Sequence, residues 1–218
     1  MSITDRRARE KEVLRRKILD TARDLFVAYG YEGVTLRKIA DAIEYAPGTI
    51  YGYFKDKEEL IRALCIADFE AFEQNFPRDR QPADPLAAIR GIGLAYIRFA
   101  LAHPNQYRLM FMTPRPFDVH ALDDATLAKR GDPARDGYAL LRQTAQAAID
   151  TDLLRDEFRN PDLVAQTLWA GVHGMASLAI TLGHDPWLQW QPVNARIDAM
   201  LDVLTFGIAR DGSRKAQA

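Results

Sequence analysis

The sequence predicts an all-α protein of about nine helices, and three observations carry that expectation. Apolar residues recur at helical spacing in segment after segment, and no stretch alternates with period two for long enough to suggest a sheet. Segment starts carry helix-opening residues, among them Thr35, Pro47, Asp56 and the Asp84-Pro85 pair, while stops fall at Gly30, Pro77 and His103-Pro104. Hydrophobic residues make up 48% of the 218 and charged residues 27%, the balance of a folded chain rather than a disordered one.

Residues 1–10 read as a polar, mobile arm with Arg6, Arg7 and Arg9. A first long helix follows, with Leu14, Ile18, Ala22, Leu25, Phe26 and Tyr29 on one stripe, and Gly30 ends it. Thr35 then stands as an N-cap, and Leu36, Ile39, Ala40 and Ile43 at i, i+3, i+4 and i+7 define a short helix with one apolar face. Arg37, Lys38 and Asp41 fall on its other side. After a turn of Glu44, Tyr45 and Ala46, Pro47 suits the first turn of a third helix, because its missing N–H is not needed there. Ile50 and Phe54 share one face of that helix, and Thr49, Tyr51 and Tyr53 point elsewhere. Asp56 with Glu59 forms an acidic variant of a capping box for a fourth helix, which runs toward Phe76 and stops at Pro77 and the polar run to Gln81. Further helices are expected from Pro85 to His103, Asn105 to Met112, Pro133 to Thr151, Pro161 to Gly183 and Val193 to Arg210. A proline-rich loop covers Thr113 to His120, and residues 211–218 form a polar tail. A domain boundary is placed inside the fourth helix, giving domains 1–60 and 61–210 with no glycine-serine linker between them.

Net charge is only -1, so the molecule is not a general nucleic-acid glue. The distribution is uneven: residues 1–17 hold seven Lys or Arg against three acids, and residues 61–218 hold seventeen against nineteen. Cys65 is the single cysteine, which excludes an intramolecular disulfide and a multi-cysteine zinc site and fits a reducing cytoplasm. The charged N-terminus argues against a secretory signal. The most apolar run, Leu168 to Leu182, is fifteen residues with His173 inside it, shorter than the ~20 that span a bilayer. It reads as a buried helix, and no membrane partner is expected.

Two short helices and a third helix start within Thr35 to Leu60 form the pattern of a helix-turn-helix DNA reader. These residues resemble the DNA-binding domain of the TetR family of bacterial transcriptional regulators. Thr35, Arg37, Ile39, Ala40, Gly48, Thr49, Ile50, Tyr51, Tyr53, Phe54, Lys57, Glu58 and Leu60 stand in register with the family pattern over about the first quarter of the chain. The resemblance implies a DNA-binding set of Thr35, Arg37, Lys38, Pro47, Gly48, Thr49, Tyr51, Tyr53 and Lys57. Two positions depart from the pattern. Glu44 replaces a usual glycine, so it must either accept a positive φ at a cost of ~1 kcal/mol or alter the turn. Ala46 replaces a capping serine or threonine, a loss on the order of 1 kcal/mol.

In the second domain, Trp169, His173 and Gly174 form a Trp-x-x-x-His-Gly signature that resembles one subgroup of TetR-family C-terminal domains. Ala170, Gly171, Gly174 and Ala176 leave room beside it for another helix to approach closely. The last helix carries Ile197, Met200, Leu201, Leu204 and Ile208, more apolar surface than one contact needs, which suggests burial against a second copy of the chain. Tyr96, Phe99, Tyr107, Met110, Phe111, Trp169 and His173 are the candidate lining of a pocket for a small, largely hydrophobic effector. Trp169, Tyr107 and Phe111 also fit a plain core role, and His173 fits a core or interface hydrogen bond.

No Ser-His-Asp, Cys-His, His-Glu-x-x-His or phosphate-loop pattern is present, so neither catalytic nor metal-ligating residues, nor a cofactor, are assigned. The expected function is a homodimeric, ligand-responsive repressor that binds a near-palindromic double-stranded DNA operator. The alternatives are a ligand-independent DNA-binding or architectural protein, and an all-α enzyme using His173 as acid or base.

Overall fold

The computed structural model describes residues 3–78, 83–113 and 123–211. The polar run to Gln81, the proline-rich loop beyond Thr113 and the tail beyond Asp211 lie wholly or partly outside the described residues. Among the described residues the fold is all-α, with ten helices: α1 (Ile3–Tyr29), α2 (Leu36–Ala42), α3 (Pro47–Tyr51), α4 (Lys57–Gln74), α5 (Pro85–Ala102), α6 (Pro104–Tyr107), α7 (Asp124–Leu127), α8 (Gly137–Asp150), α9 (Pro161–Leu182) and α10 (Val193–Ile208). A π-helical turn, Arg108–Met112, continues α6. The chain divides into two compact units, Met1–Ala71 with Pro104–Leu122, and Phe72–His103 with Asp123–Ala218.

The first unit is built on α1, which the structure carries back to Ile3, so the expected mobile arm is helical instead. Its arginines, lysines and glutamates are good helix formers, and Arg6–Glu10 (3.5 Å) and Arg16–Glu12 (3.2 Å) pair one turn apart. Ile18, Ala22 and Phe26 of the expected stripe are buried, but Tyr29 is exposed and forms a platform for Lys38. The helix ends as expected at Gly30, whose φ of 69° suits a left-handed stop. Around α1, Val34, Ile39, Ile50, Phe54, Leu60 and Leu64 complete one core. Pro104 opens α6 rather than only ending α5, because the first helical turn tolerates its missing N–H.

The second unit packs α5, α8, α9 and α10 together. Close approach is set by glycine: a Cβ on Gly93 would lie 2.8 Å from Leu201, and one on Gly171 would lie 2.7 Å from Leu204. The small-residue patch beside Trp169 thus meets α10 through Gly171. Arg90 of α5 adds ion pairs to Asp198 (3.0 Å) and Asp202 (3.2 Å) of α10. α10 stops at Ile208, short of the expected Arg210, because Ala209 turns extended and bridges Leu154. α8 opens at Gly137 instead of Pro133, where the Asp136 carboxylate caps two backbone N–H groups. The four-residue α7, capped by Asp123, is too short to leave an apolar period in the sequence.

The apolar run is longer than its fifteen residues suggest: α9 has 22, and both α5 and α9 are long and apolar enough to cross a bilayer by length and composition. What accounts for their apolar character here is mutual packing with α8 and α10. Among the described residues, Leu163, Leu178 and Leu182 of α9 and Val203 of α10 are exposed.

Candidate nucleic-acid interface

The Thr35 hydroxyl accepts a hydrogen bond from the Lys38 N–H (3.1 Å), so α2 starts where the sequence places it. Leu36, Ile39 and Ala40 turn inward, and Arg37 is exposed on the opposite side. In the turn, Glu44 takes the left-handed backbone with φ of 63°, and the Tyr45 N–H donates to the Ala40 carbonyl at 3.0 Å. The chain therefore keeps the turn and accepts strain at a non-glycine residue. Ala46 has the extended cap conformation without any side-chain cap bond, and Pro47 supplies the first turn of α3.

α3 is only five residues long, and its orientation is fixed by what it buries. Ile50 and Phe54 are sealed in the core, while Tyr51 is 59% exposed, Gly48 is exposed, and Pro47, Thr49 and Tyr53 are half-buried. Phe54 lies beyond the helix proper, yet its N–H still donates to the Ile50 carbonyl (3.0 Å), so the anchor stays in register. The Asp56 carboxylate accepts from the Glu59 N–H, and Glu59 accepts in turn from the Lys55 N–H, both at 2.7 Å. This is the capping box, displaced by one residue on the return bond.

The cations nearest this surface are held in place. The Lys38 ammonium lies 3.4 Å above the Tyr29 ring and donates to the Gly33 carbonyl; the Lys57 ammonium lies 4.0 Å from the Tyr31 ring and donates to the Tyr31 carbonyl at 3.0 Å. Burial, followed by the charges of Glu58, Glu32 and Asp56, raises the Tyr31 phenol above its ordinary value. Beneath the reader, Asp68 of α4 is fully buried and accepts from Arg23 of α1 (2.7 Å) and Gln106 of α6 (3.0 Å). Burial alone would lower the Arg23 guanidinium, but the bonds and charge of Asp68 outweigh it and hold it above its usual value. Sequence periodicity misses this strut, because three polar residues from distant segments leave no local signal.

The candidate effector residues divide between the units. Tyr107, Met110 and Phe111 belong to the first, where Tyr107 is fully buried and its ring lies 5.1 Å from that of Phe111. Tyr96, Phe99, Trp169 and His173 belong to the second. There the Trp169 indole N–H donates to the Tyr96 hydroxyl (3.1 Å), which sits 3.2 Å from His173 Nδ1. An indole nitrogen only donates, so the Tyr96 oxygen accepts from Trp169, while the direction of its bond with Nδ1 follows the imidazole tautomer. Burial lowers His173 from its ordinary value, in keeping with a neutral ring. Phe99 packs edge-on against Phe72 at 5.2 Å.

Known proteins share both halves of this arrangement. Residues 18–64 match the family described as bacterial regulatory proteins, tetR family, and residues 89–204 match the tetracyclin repressor-like C-terminal domain. The chain belongs to the TetR family. Among curated relatives it is 45% identical over 56 residues to the HTH-type transcriptional repressor Rv1474c of Mycobacterium tuberculosis, covering 26% of this chain and 30% of that one. It is 39% identical over 98 residues to the HTH-type transcriptional repressor AcnR of Corynebacterium diphtheriae, covering 45% of each. The match thus spans less than half the length of either relative. The ketosteroid transcriptional regulator KstR2 of Mycobacterium tuberculosis shares the fold at a TM-score of 0.64 and 19% identity, covering 90% of this chain and 95% of that one. A TetR-family assignment sets aside the all-α enzyme reading of His173.

Proposed function

We propose that this TetR-family chain is a cytoplasmic, sequence-specific DNA-binding repressor acting as a homodimer on a near-palindromic operator. The observation that carries the reading is the division of α3 and the residues after it: Ile50 and Phe54 lock it to the core while Gly48 and Tyr51 are exposed on its outer side, with Thr49 half-buried and Tyr53 half-buried against the core. Those outer groups meet the major groove, and Thr35, Arg37, Lys38, Pro47 and Lys57 sit at helix starts, where phosphates are favoured by the backbone dipole. Lys57 keeps further N–H donors beyond the one it gives Tyr31. The exposed apolar residues of α9 and α10 support dimerisation through these two helices. A two-fold dimer presents two recognition helices about 34–36 Å apart or somewhat more, which calls for a symmetric site.

The Trp169–Tyr96–His173 hydrogen-bonded chain supports a C-terminal domain of the Trp-His-Gly subgroup, with a small, largely hydrophobic effector recognised near it. The effector releases the operator by favouring the state in which the two readers no longer fit adjacent grooves, and its leverage equals its differential affinity for the two states.

Selection of bound duplexes from a random pool at several salt concentrations tests the reading. A symmetric consensus whose affinity falls with salt supports it, and Tyr51→Ala should weaken that binding. Recovery of no preferred sequence, or a monomer by light scattering under binding conditions, refutes it.

A further inference from the structure

Because α1 is helical from Ile3, its N-terminal cations are held in a fixed array rather than on a loose arm. They form one wall of an open cleft of about 780 Å³, whose other side is Tyr45 of the α2–α3 turn and Tyr53 just after α3. The charges are sorted by face. Of the seven cations and three acids in residues 1–17, the cleft takes Arg6, Arg7, Arg9, Lys11 and Lys17 against Glu10 alone. Asp5 and Glu12 lie outside its lining, as do Arg15 and Arg16.

The aromatic side engages two of the five cations, Lys11 and Lys17, from across the cleft. Lys17 donates to the Ile43 carbonyl (3.3 Å) with its ammonium 5.5 Å from the Tyr45 ring, and the Lys11 ammonium is 6.0 Å from the Tyr53 ring. The two tyrosines flank the recognition helix in sequence, so the cleft continues directly from the proposed reading surface. Arg6 to Lys17 covers about 16 Å of helix at 1.5 Å per residue, against a rise of about 3.4 Å per nucleotide of one DNA strand. That length serves several phosphates rather than one small anion.

We infer that this cleft is a second DNA-binding element, which grips the phosphodiester backbone flanking the major-groove contact and reads no sequence. The inference rests on the DNA-binding reading above and adds residues outside the helix-turn-helix. It makes α1 a source of affinity and of salt dependence, while α3 remains the source of specificity.

The test is the affinity of the full-length protein for its selected duplex, measured from about 50 to 200 mM salt, for the parent chain and for Arg7→Gln/Lys11→Gln. Both side chains are exposed, and circular dichroism should show unchanged helix content and melting. The variant should bind more weakly to specific and random duplexes alike, with the consensus unchanged. Its slope of log K against log salt should be shallower by about 0.9 for each phosphate that is no longer neutralised. On a duplex trimmed to the consensus alone, the difference between variant and parent should shrink. An unchanged slope in a variant that still binds its consensus overturns the inference and leaves the DNA-binding reading standing. A parent chain that binds no duplex removes both. Inorganic phosphate added at constant ionic strength should not compete; competition would mean a discrete small-anion site and would overturn the backbone grip.

Discussion

Glu44→Gly should make the protein more stable, although it deletes a charged side chain from a turn that the reader depends on. Glu44 has a φ of 63°, in the region where Cβ crowds the following carbonyl, a strain of roughly 1–2 kcal/mol for an L-residue. Glycine removes that strain but widens the unfolded ensemble, which costs about 0.4–1 kcal/mol. The difference is a net stabilisation of about 0.5–1 kcal/mol. Glu44 is exposed and its N–H bond to the Asp41 carbonyl (3.2 Å) is made by the backbone, so the substitution removes no packing and keeps the turn. For a chain of this size, about 1 kcal/mol moves the thermal midpoint by about 2–4 °C, so a rise of roughly 1–4 °C is expected at fixed protein concentration. Glu44→Ala is the control, because alanine keeps Cβ and with it the strain. A glycine variant no more stable than the parent, or an alanine variant that is stabilised as much, would refute this account of the turn.

Three further outcomes follow from neighbouring contacts. Ala46→Ser supplies the missing cap to α3 and should stabilise by about 1 kcal/mol in chemical denaturation, with operator affinity unchanged or improved. Asp68→Ala leaves Arg23, whose side chain is only 12% exposed, without its main counter-charge and should cost about 3–5 kcal/mol, whereas Arg23→Met/Asp68→Leu should recover most of that stability. His173 is depressed by burial, so below its unfolded value of 6.5 the unfolded chain takes up a proton that the folded chain refuses. The thermal midpoint should therefore fall as pH drops from about 6.5 toward the folded value, and the fall should be smaller in His173→Gln.

The legible parts of the fold are those written locally. Thr35, Gly30, Asp56 with Glu59 and the Asp84-Pro85 pair each mark a helix end within four residues, and each sits where that signal puts it. The helical N-terminus is harder to read, because a polar segment without an apolar stripe looks the same whether it is loose or helical. Arg6 and Glu10 lie on the same side of a helix, and the residues that deny α1 an apolar stripe there give it propensity and ion pairs. Pro104 is ambiguous for a related reason: proline ends one helix and opens another equally well, and only the following residues decide.

The candidate sites are legible to the extent that one helix carries them. Ile50 and Phe54 announce a buried face at i and i+4, and burying them forces Tyr51 outward whatever surrounds the unit. Trp169 and His173 are one turn apart on α9, but the hydroxyl that joins them comes from Tyr96, more than seventy residues away, and helical periodicity says nothing of such a partner. The Arg23–Asp68–Gln106 strut is the extreme case, since its three members lie on three helices and each alone reads as an ordinary surface residue. The structure shows how the cost of burying the Asp68 carboxylate is met: the cation comes from another helix, on Arg23 beside the buried Ala22.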